Sequence, residues 1–109
     1  MTAAKYRRPR DSERSPAVPL EERQAILLRT FRSDLVYWIG ADQKTALRIM
    51  RLVEEVLRDP FSGMGKPEPL RHDMQGQWSR RITPEDRIVY RVRPGGILFS
   101  FARGHYGRR

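Results

Sequence analysis

The chain contains no cysteine and only two histidines, His72 and His105, among its 109 residues. The lack of cysteine excludes a disulfide framework, a thiol nucleophile and a thiolate metal site, and two histidines are too few for a histidine-rich one. We therefore expect chemistry without a metal or a cofactor. Long apolar runs are also missing, including from the basic N-terminus, so we expect no signal peptide, no membrane span and a cytoplasmic protein.

Acidic residues are outnumbered by basic ones, 13 against 22, which gives a formal net charge of +9 and a pI of about 11.0. Lys and Arg neutralise phosphates and release condensed counterions, so an anionic partner, above all a nucleic acid, is expected. Charge alone also fits a basic surface that only aids solubility. At this length we expect one folded domain with a small core.

The first twenty residues contain three prolines and five basic residues and have almost nothing apolar to bury. We expect residues 1–22 to form a disordered basic extension and residues 23–109 to form the folded domain. The extension is interpreted either as the product of an upstream start codon or as an RNA-contacting arm.

The folded part begins with an apolar run at residues 25–29 that fits a strand, although its length does not exclude a helix. Thr30 or Ser33 is expected to cap a short helix that ends at Gly40. Its buried side is predicted to carry Leu35, Trp38 and Ile39. Asp42 is then expected to cap a longer helix that Pro60 stops. The apolar stripe of this helix comprises Ala46, Ile49, Met50, Val53, Val56 and Leu57.

The second half predicts an extended loop over residues 61–74, followed by strands separated by turns near residues 83–85 and 94–96. The predicted order is therefore β-α-α-β-β-β, an α+β fold with a helical hairpin on a small, mainly antiparallel sheet. The strand before the first turn should bury Trp78 and Ile82 and turn Ser79 and Arg81 to the opposite face. Arg80 is expected either to extend to the sheet edge or to pair with an acid.

Side chains alternate along residues 87–93, which gives this strand one apolar and one basic face. The next hairpin is expected to turn on residues 94–95 or 95–96, because either choice pairs apolar side chains with apolar side chains. The predicted apolar layer contains Ile88, Tyr90, Val92, Ile97, Phe99 and Phe101. Arg87 and Arg91 should then lie beside the small Ser100 and Ala102, which leaves room for a polyanion.

Several short segments occur together in the second half: GKPEPL at residues 65–70, WSRRI at 78–82, RIVY at 87–90 and HY at 105–106. LVYW at residues 35–38 and RDPF at 58–61 precede them. In order and spacing, these segments resemble the YoeB/Txe branch of the RelE/ParE toxin superfamily, over residues 25–106. The resemblance implies the RelE-like fold described above. It also implies that the chain is the toxin of a type II toxin-antitoxin system and acts as a ribosome-dependent messenger RNA endonuclease that needs no metal.

The resemblance also implies roles for individual residues. Glu68 matches the general base, Arg87 the phosphate stabiliser, His105 the general acid and Tyr106 a positioning or stacking residue. Additional RNA-contacting positions are expected at Lys66, Arg71, Arg81 and Arg91. The implied partners are messenger RNA in the ribosomal A site and a cognate antitoxin of the YefM/Phd type, and homodimerisation is left open. The chain departs from the family at Asp86, where a histidine is common, at Gly104, where a bulky residue is common, and in the tail at residues 107–109.

Each of these residues also has a plain interpretation. A lone Glu68 in a proline-flanked loop is typical of a solvated charge, and Arg87 with Arg91 is typical of a solvated strand face. Two alternative functions follow: a toxin of the same fold directed at DNA gyrase, and an RNA- or ribosome-binding module without nuclease activity. The joint occurrence of Glu68, Arg87 and His105 favours the nuclease.

Overall fold

The apolar run after residue 23 forms a strand, as expected, and two helices and four further strands follow it. The computed structural model describes residues 23–105, so the predicted extension at residues 1–22 lies outside the described residues. The elements are β1 (Gln24–Leu27), α1 (Arg29–Ala41), α2 (Gln43–Arg58), β2 (Glu68–Pro69), β3 (Gln77–Arg81), β4 (Arg87–Arg93) and β5 (Gly96–Phe101). A 3-10 turn over His72–Met74 joins β2 to β3. The predicted α+β order is confirmed, and β2 is an additional short strand within the expected loop.

The two helices form a hairpin that turns at Asp42. This carboxylate accepts hydrogen bonds from the Thr45 hydroxyl (2.9 Å) and the Lys44 backbone N–H (3.1 Å), and these contacts lower the pKa of Asp42. The expected break at Gly40 is wrong, because α1 continues through it to Ala41. A helical glycine costs only about 1 kcal/mol, and the chain turns where α2 is capped. Neither helix within residues 23–105 is long and apolar enough to cross a membrane.

The buried side of α1 differs from the expectation at one residue. Ile39 is 53% exposed, whereas Phe31 and Asp34 are buried and Leu35 and Trp38 are partly buried against the core. The helical period places residues 31, 34, 35 and 38 on one side and residue 39 beside it. In α2 the predicted apolar stripe is confirmed except at Met50, which is 40% exposed.

The five strands form one sheet in the order β1-β5-β4-β3-β2. β1 is parallel to β5 and the other neighbours are antiparallel, which confirms the mainly antiparallel sheet. The β4–β5 hairpin turns on residues 94–95, since Arg93 pairs with Gly96. One face of the sheet packs on the helices, and the cluster of buried residues there comprises Phe31, Ile49, Leu52, Val53, Val56, Ile82, Ile88, Tyr90, Ile97, Phe99 and Ala102. We call the opposite side the outer face; it carries Glu68, Ser79, Arg81, Arg87, Val89 and Arg91.

A bulge in β5 changes which side chains lie on each face. Tyr90 pairs with Phe99, but Val89 pairs with Phe101, so Ser100 is an extra residue in β5. Because side chains alternate along a strand, one extra residue moves every following side chain to the other face. Phe101 therefore lies beside Val89 on the outer face, and Ala102 enters the core. The expected placement of Phe101 in the apolar layer and Ala102 beside the arginines is wrong.

Arg80 follows neither of its two expected arrangements. It is fully buried on the helix side of the sheet and donates to the backbone oxygens of Ser62 (2.9 Å), Met64 (3.0 Å) and Asp59. Its Nε donates to the hydroxyl of Tyr90 at 3.1 Å. The segment between α2 and β2 thus folds around one guanidinium group.

Candidate active site

Glu68 reaches the outer face because β2 pairs with the edge of β3. Its Cα lies opposite Ser79, and the next contact is the Leu70 N–H donating to the Gln77 carbonyl at 2.9 Å. The approach to β2 depends on Gly65, whose φ of +86° and close contacts favour glycine. A Cβ atom there would lie 3.0 Å from the Cβ of Arg80. The GKPEPL segment is therefore fixed against β3, with the Glu68 side chain exposed.

Arg87 begins β4 and pairs with Arg81. It is only 6% exposed, yet its guanidinium group is poorly satisfied. Nη1 contacts the backbone oxygens of residues 83, 84 and 86, each at 3.4 Å, which is beyond the usual range for such bonds. Among the described residues 23–105, its Nε is buried without a hydrogen-bond partner, as is the hydroxyl of Ser79. Arg87 thus retains donors for an anion.

His105 is held through the three residues that precede it. Asp34 and Trp38, one turn apart on α1, bind the backbone of Ala102: its N–H donates to the Asp34 carboxylate and its oxygen accepts from the Trp38 indole, both at 2.8 Å. The Arg103 guanidinium lies 3.5 Å from the ring centroid of Tyr37, a cation–π contact. The backbone beyond β5 is therefore fixed by the first helix.

Gly104, the last of these three residues, joins the segment that follows β5 to β4. The N–H of Arg87 donates to the Gly104 oxygen at 2.9 Å, so the residue next to His105 touches the residue that carries the guanidinium group. His105 itself is partly buried. Tyr106 lies outside the described residues, and its predicted role stays a prediction.

Glu68 lies on the same outer face, two strands from β4. Glu68 pairs with Ser79, which pairs with Val89, two residues from Arg87. With strands about 4.8 Å apart and a rise of about 3.3 Å per residue, the Cα atoms of Glu68 and Arg87 are roughly 12 Å apart. The outer face of the sheet thus carries both a carboxylate and a guanidinium group, with the buried Ser79 and Val89 between them.

The predicted RNA-contacting residues are all exposed: Lys66, Arg71, Arg81 and Arg91. Arg81 and Arg91 lie on the outer face at opposite ends of the β3–β4 pairing. Arg81 pairs with Arg87, and Arg91 pairs with Gln77. The Arg91 guanidinium group lies over Gly76, where a Cβ atom would be 2.7 Å from it. Lys66 precedes Glu68 by two residues and has a φ of +53°.

A cavity of about 330 Å³ lies beside Glu68, next to the edge of the sheet and not above Arg91 as the sequence suggested. Glu68, Arg71, His72 and Met74 are among its lining residues. His72 lies in the segment that was expected to be an extended loop, and the cavity was not predicted, because a strand of two residues such as β2 has no readable period. The only sequence signal of this region is the group of glycines and prolines around β2. Among residues 23–105, no group of three His, Asp or Glu side chains is arranged to hold a metal ion.

Comparison with known proteins places these features in one family. Residues 29–106 match the family model described as the YoeB-like toxin of bacterial type II toxin-antitoxin systems. Toxin YoeB of Mycobacterium bovis is 53% identical over 73 residues, which cover 67% of this chain and 86% of the relative.

Solved structures agree. A YoeB/ParE toxin from Agrobacterium tumefaciens superposes with a TM-score of 0.73 at 38% identity, covering 76% of this chain and 99% of that one. YoeB from Staphylococcus aureus, solved as a dimer, gives a TM-score of 0.72 at 30% identity over 78% of this chain and 99% of that one. A YoeB–YefM complex from Staphylococcus aureus gives a TM-score of 0.70 at 30% identity, covering 76% of this chain and 97% of that one. The matched region contains Glu68, Arg87 and His105, and the chain belongs to the YoeB family of type II toxin-antitoxin toxins.

Proposed function

We propose that this toxin is a ribosome-dependent endonuclease that cuts messenger RNA in the ribosomal A site. The observation that carries the proposal is the meeting of Arg87 with the His105 segment at one end of β4, with Glu68 on the same outer face. When a neighbouring 2′-hydroxyl attacks phosphorus, the reaction needs a base, a cation and an acid. A carboxylate, a guanidinium group and an imidazole can supply them.

Each group has one task in this reaction. Glu68 takes the proton of the 2′-hydroxyl, whose oxygen forms a bond to phosphorus. The bond from phosphorus to the 5′-oxygen breaks, and protonated His105 gives its proton to that oxygen. Arg87 donates hydrogen bonds to the phosphoryl oxygens as their charge grows, and Tyr106 orients the nucleotide. The products are a 2′,3′-cyclic phosphate and a 5′-hydroxyl, and the scheme uses no metal and no cofactor.

The state of Arg87 supports its role as the stabiliser of this charge. A buried guanidinium group normally has its donors satisfied, because an unpaired buried donor costs about 1–3 kcal/mol. Arg87 instead keeps an unpartnered Nε and three long contacts. Donors held in place before the substrate arrives need no reorganisation when the charge develops, which is where electrostatic catalysis is most effective.

The exposed basic residues are proposed to bind the message without reacting. Lys66 and Arg71 lie within three residues of Glu68 along the chain, and Arg81 and Arg91 share the outer face with Arg87. From these positions they can contact phosphates on either side of the scissile linkage. Such contacts supply affinity and register but no sequence preference. The ribosome would supply the codon in the orientation that the three reacting groups need.

The other partner is proposed to be an antitoxin of the YefM/Phd type that covers the outer face with an acidic, partly disordered segment. The complex of the S. aureus relative with YefM supports this assignment. The dimer of YoeB from S. aureus supports homodimerisation of the free toxin as a second association. The toxin, its antitoxin and its ribosomal target are all proposed to be cytoplasmic.

The purified toxin mixed with ribosomes programmed with a defined message provides the test. We expect new 5′ ends within the A-site codon, carrying 5′-hydroxyl groups, and no cutting of the same message without ribosomes. A message that stays intact on the ribosome, combined with inhibition of supercoiling by DNA gyrase, would establish the alternative of a gyrase-directed toxin.

Replacing His105 with glutamine should slow cutting about 10²–10⁴-fold, the usual contribution of a positioned acid. Binding to the ribosome should change little, because the basic residues that contact phosphate remain. Single-turnover cutting and ribosome pelleting measure the two quantities separately. Cutting at the wild-type rate by the H105Q variant would remove His105 from the mechanism.

A further inference from the structure

The turn between β3 and β4 holds the segment that carries His105 through one carboxylate. Asp86 Oδ1 accepts a hydrogen bond from the Gly104 N–H at 2.9 Å, across 18 residues of sequence. Its other oxygen, Oδ2, accepts from the Thr83 hydroxyl at 2.7 Å. The same hydroxyl accepts from the backbone N–H groups of Asp86 (3.0 Å) and Glu85 (3.2 Å). The Asp86 side chain is therefore held in place by its own turn while it accepts the hydrogen bond from Gly104.

Gly104 is bound from both of its backbone groups. Its N–H donates to Asp86 and its oxygen accepts from the N–H of Arg87, the next residue along β4. Its φ of +81° lies in the left-handed region, which disfavours residues with a Cβ atom. The Asp86 carboxylate and the Arg87 N–H thus attach Gly104, the residue before His105, to the start of β4.

We propose that Asp86 is a positioning residue for His105. The inference rests on the proposed function: it gives that mechanism a group that holds the general acid against Arg87 without touching the substrate. The contacts of α1 hold the chain after β5 at Ala102 and Arg103. The two hydrogen bonds of Gly104 hold the residue directly before His105 against the start of β4.

Loss of the carboxylate removes the hydrogen bond of the Gly104 N–H and keeps the one that its oxygen accepts from Arg87. A Gly104 peptide that is bound through its oxygen and not through its N–H can rotate more freely, so the imidazole would be held less precisely in line with the departing 5′-oxygen. A misplacement of about 1 Å can cost a reaction roughly 10²-fold. We expect D86A to slow cutting about 10–100-fold through this loss of orientation alone.

The test separates a positioning role from a loss of stability by changing the leaving group. A message with sulfur in place of the 5′-oxygen at the scissile linkage releases a thiolate, which needs little protonation because thiols have a pKa of about 8.5. Wild-type toxin, D86A, D86N, H105Q and E68Q are compared in single-turnover cutting of both messages on ribosomes. D86N keeps an oxygen that accepts from the Gly104 N–H and should recover most of the rate.

Asp42 provides the matched control. Its carboxylate also accepts from a threonine hydroxyl and from backbone N–H groups, but at the turn between the helices. D42A should lower the thermal midpoint about as much as D86A and leave the cutting rate unchanged. G104A, which keeps the Asp86 charge but disfavours the observed φ, should repeat the D86A result.

The expected result is that the 5′-thio message restores D86A and H105Q to near the wild-type rate and leaves E68Q slow. The positioning role is overturned if D86A cuts the natural message at the wild-type rate, if it is equally slow on both messages, or if D42A is equally slow. These outcomes leave the proposed function intact as long as H105Q is rescued. If wild-type toxin cuts neither message, the proposed function fails and the role of Asp86 fails with it.

Discussion

Replacing Arg80 with alanine is expected to lower the free energy of unfolding by about 3–5 kcal/mol, the range seen when one partner of a buried charged network is removed. The guanidinium group is completely buried and serves the backbone oxygens of Asp59, Ser62 and Met64. Alanine would leave these oxygens without a donor and would create a cavity as well. Chemical denaturation monitored by fluorescence, with Trp38 and Trp78 as probes, measures the loss.

The Tyr90 hydroxyl is the second part of this network. It accepts from Arg80 and donates to the Pro60 oxygen at 2.6 Å. Burial raises the pKa of Tyr90, and the neighbouring Arg80 acts in the opposite direction. Asp59, at the start of the same segment, accepts from the Ser62 hydroxyl and the Phe61 N–H, which lower its pKa. The segment between α2 and β2 is thus organised by polar contacts with Arg80, Tyr90 and Asp59.

Arg81 is the matched control for Arg80, because it is the adjacent arginine in the same strand but is exposed on the outer face. R81A should change the free energy of unfolding by no more than about 0.5 kcal/mol. R80K keeps a charge but offers no planar fork, so it should remain strongly destabilised. Equal stabilities of R80A and R81A would show that the buried guanidinium group does not organise the segment.

Much of the fold follows from periodicity, and the exceptions have local causes. The alternation over residues 87–93 predicts the apolar layer beneath the helices, and Asp42 predicts the start of the second helix. The bulge at Ser100 could not be predicted, because one extra residue leaves no mark on the composition of β5. It nevertheless decides that Ala102, and not Phe101, meets Asp34 and Trp38.

The candidate site also combines features that the sequence predicts with features that only the structure shows. A shared site for Glu68, Arg87 and His105 is predicted only from the family resemblance, because no local pattern relates a residue of β2 to the residues that follow β5. The structure adds the supports that hold them: Gly65 against β3, α1 against Ala102, and Arg80 within the segment before β2. Each support is a contact with a backbone group that is distant in the sequence, and periodicity carries no information about such contacts. The catalytic roles themselves remain predictions.

The largest expected effect on activity, apart from the loss of His105, comes from Arg87. R87Q should lower the maximal cutting rate about 10²–10³-fold, because a donor aimed at developing charge contributes about 3–4 kcal/mol to the transition state. The half-saturating ribosome concentration should change little, since the contribution of Arg87 grows only as the phosphoryl charge grows. Rates at saturating and limiting ribosome concentrations separate the two effects. A thermal midpoint for R87Q checks that the buried site still folds.

Arg91 lies on the same strand and the same outer face, about 13 Å from Arg87 along β4, but it is exposed. R91Q should therefore weaken ribosome binding, reduce the slope of affinity against salt by about one and leave the maximal rate unchanged. The contrast between these variants distinguishes a guanidinium group that stabilises the transition state from one that only attracts the message. If R87Q and R91Q both raise the half-saturating concentration and leave the maximal rate intact, the strand is a binding surface and Arg87 has no part in the chemistry.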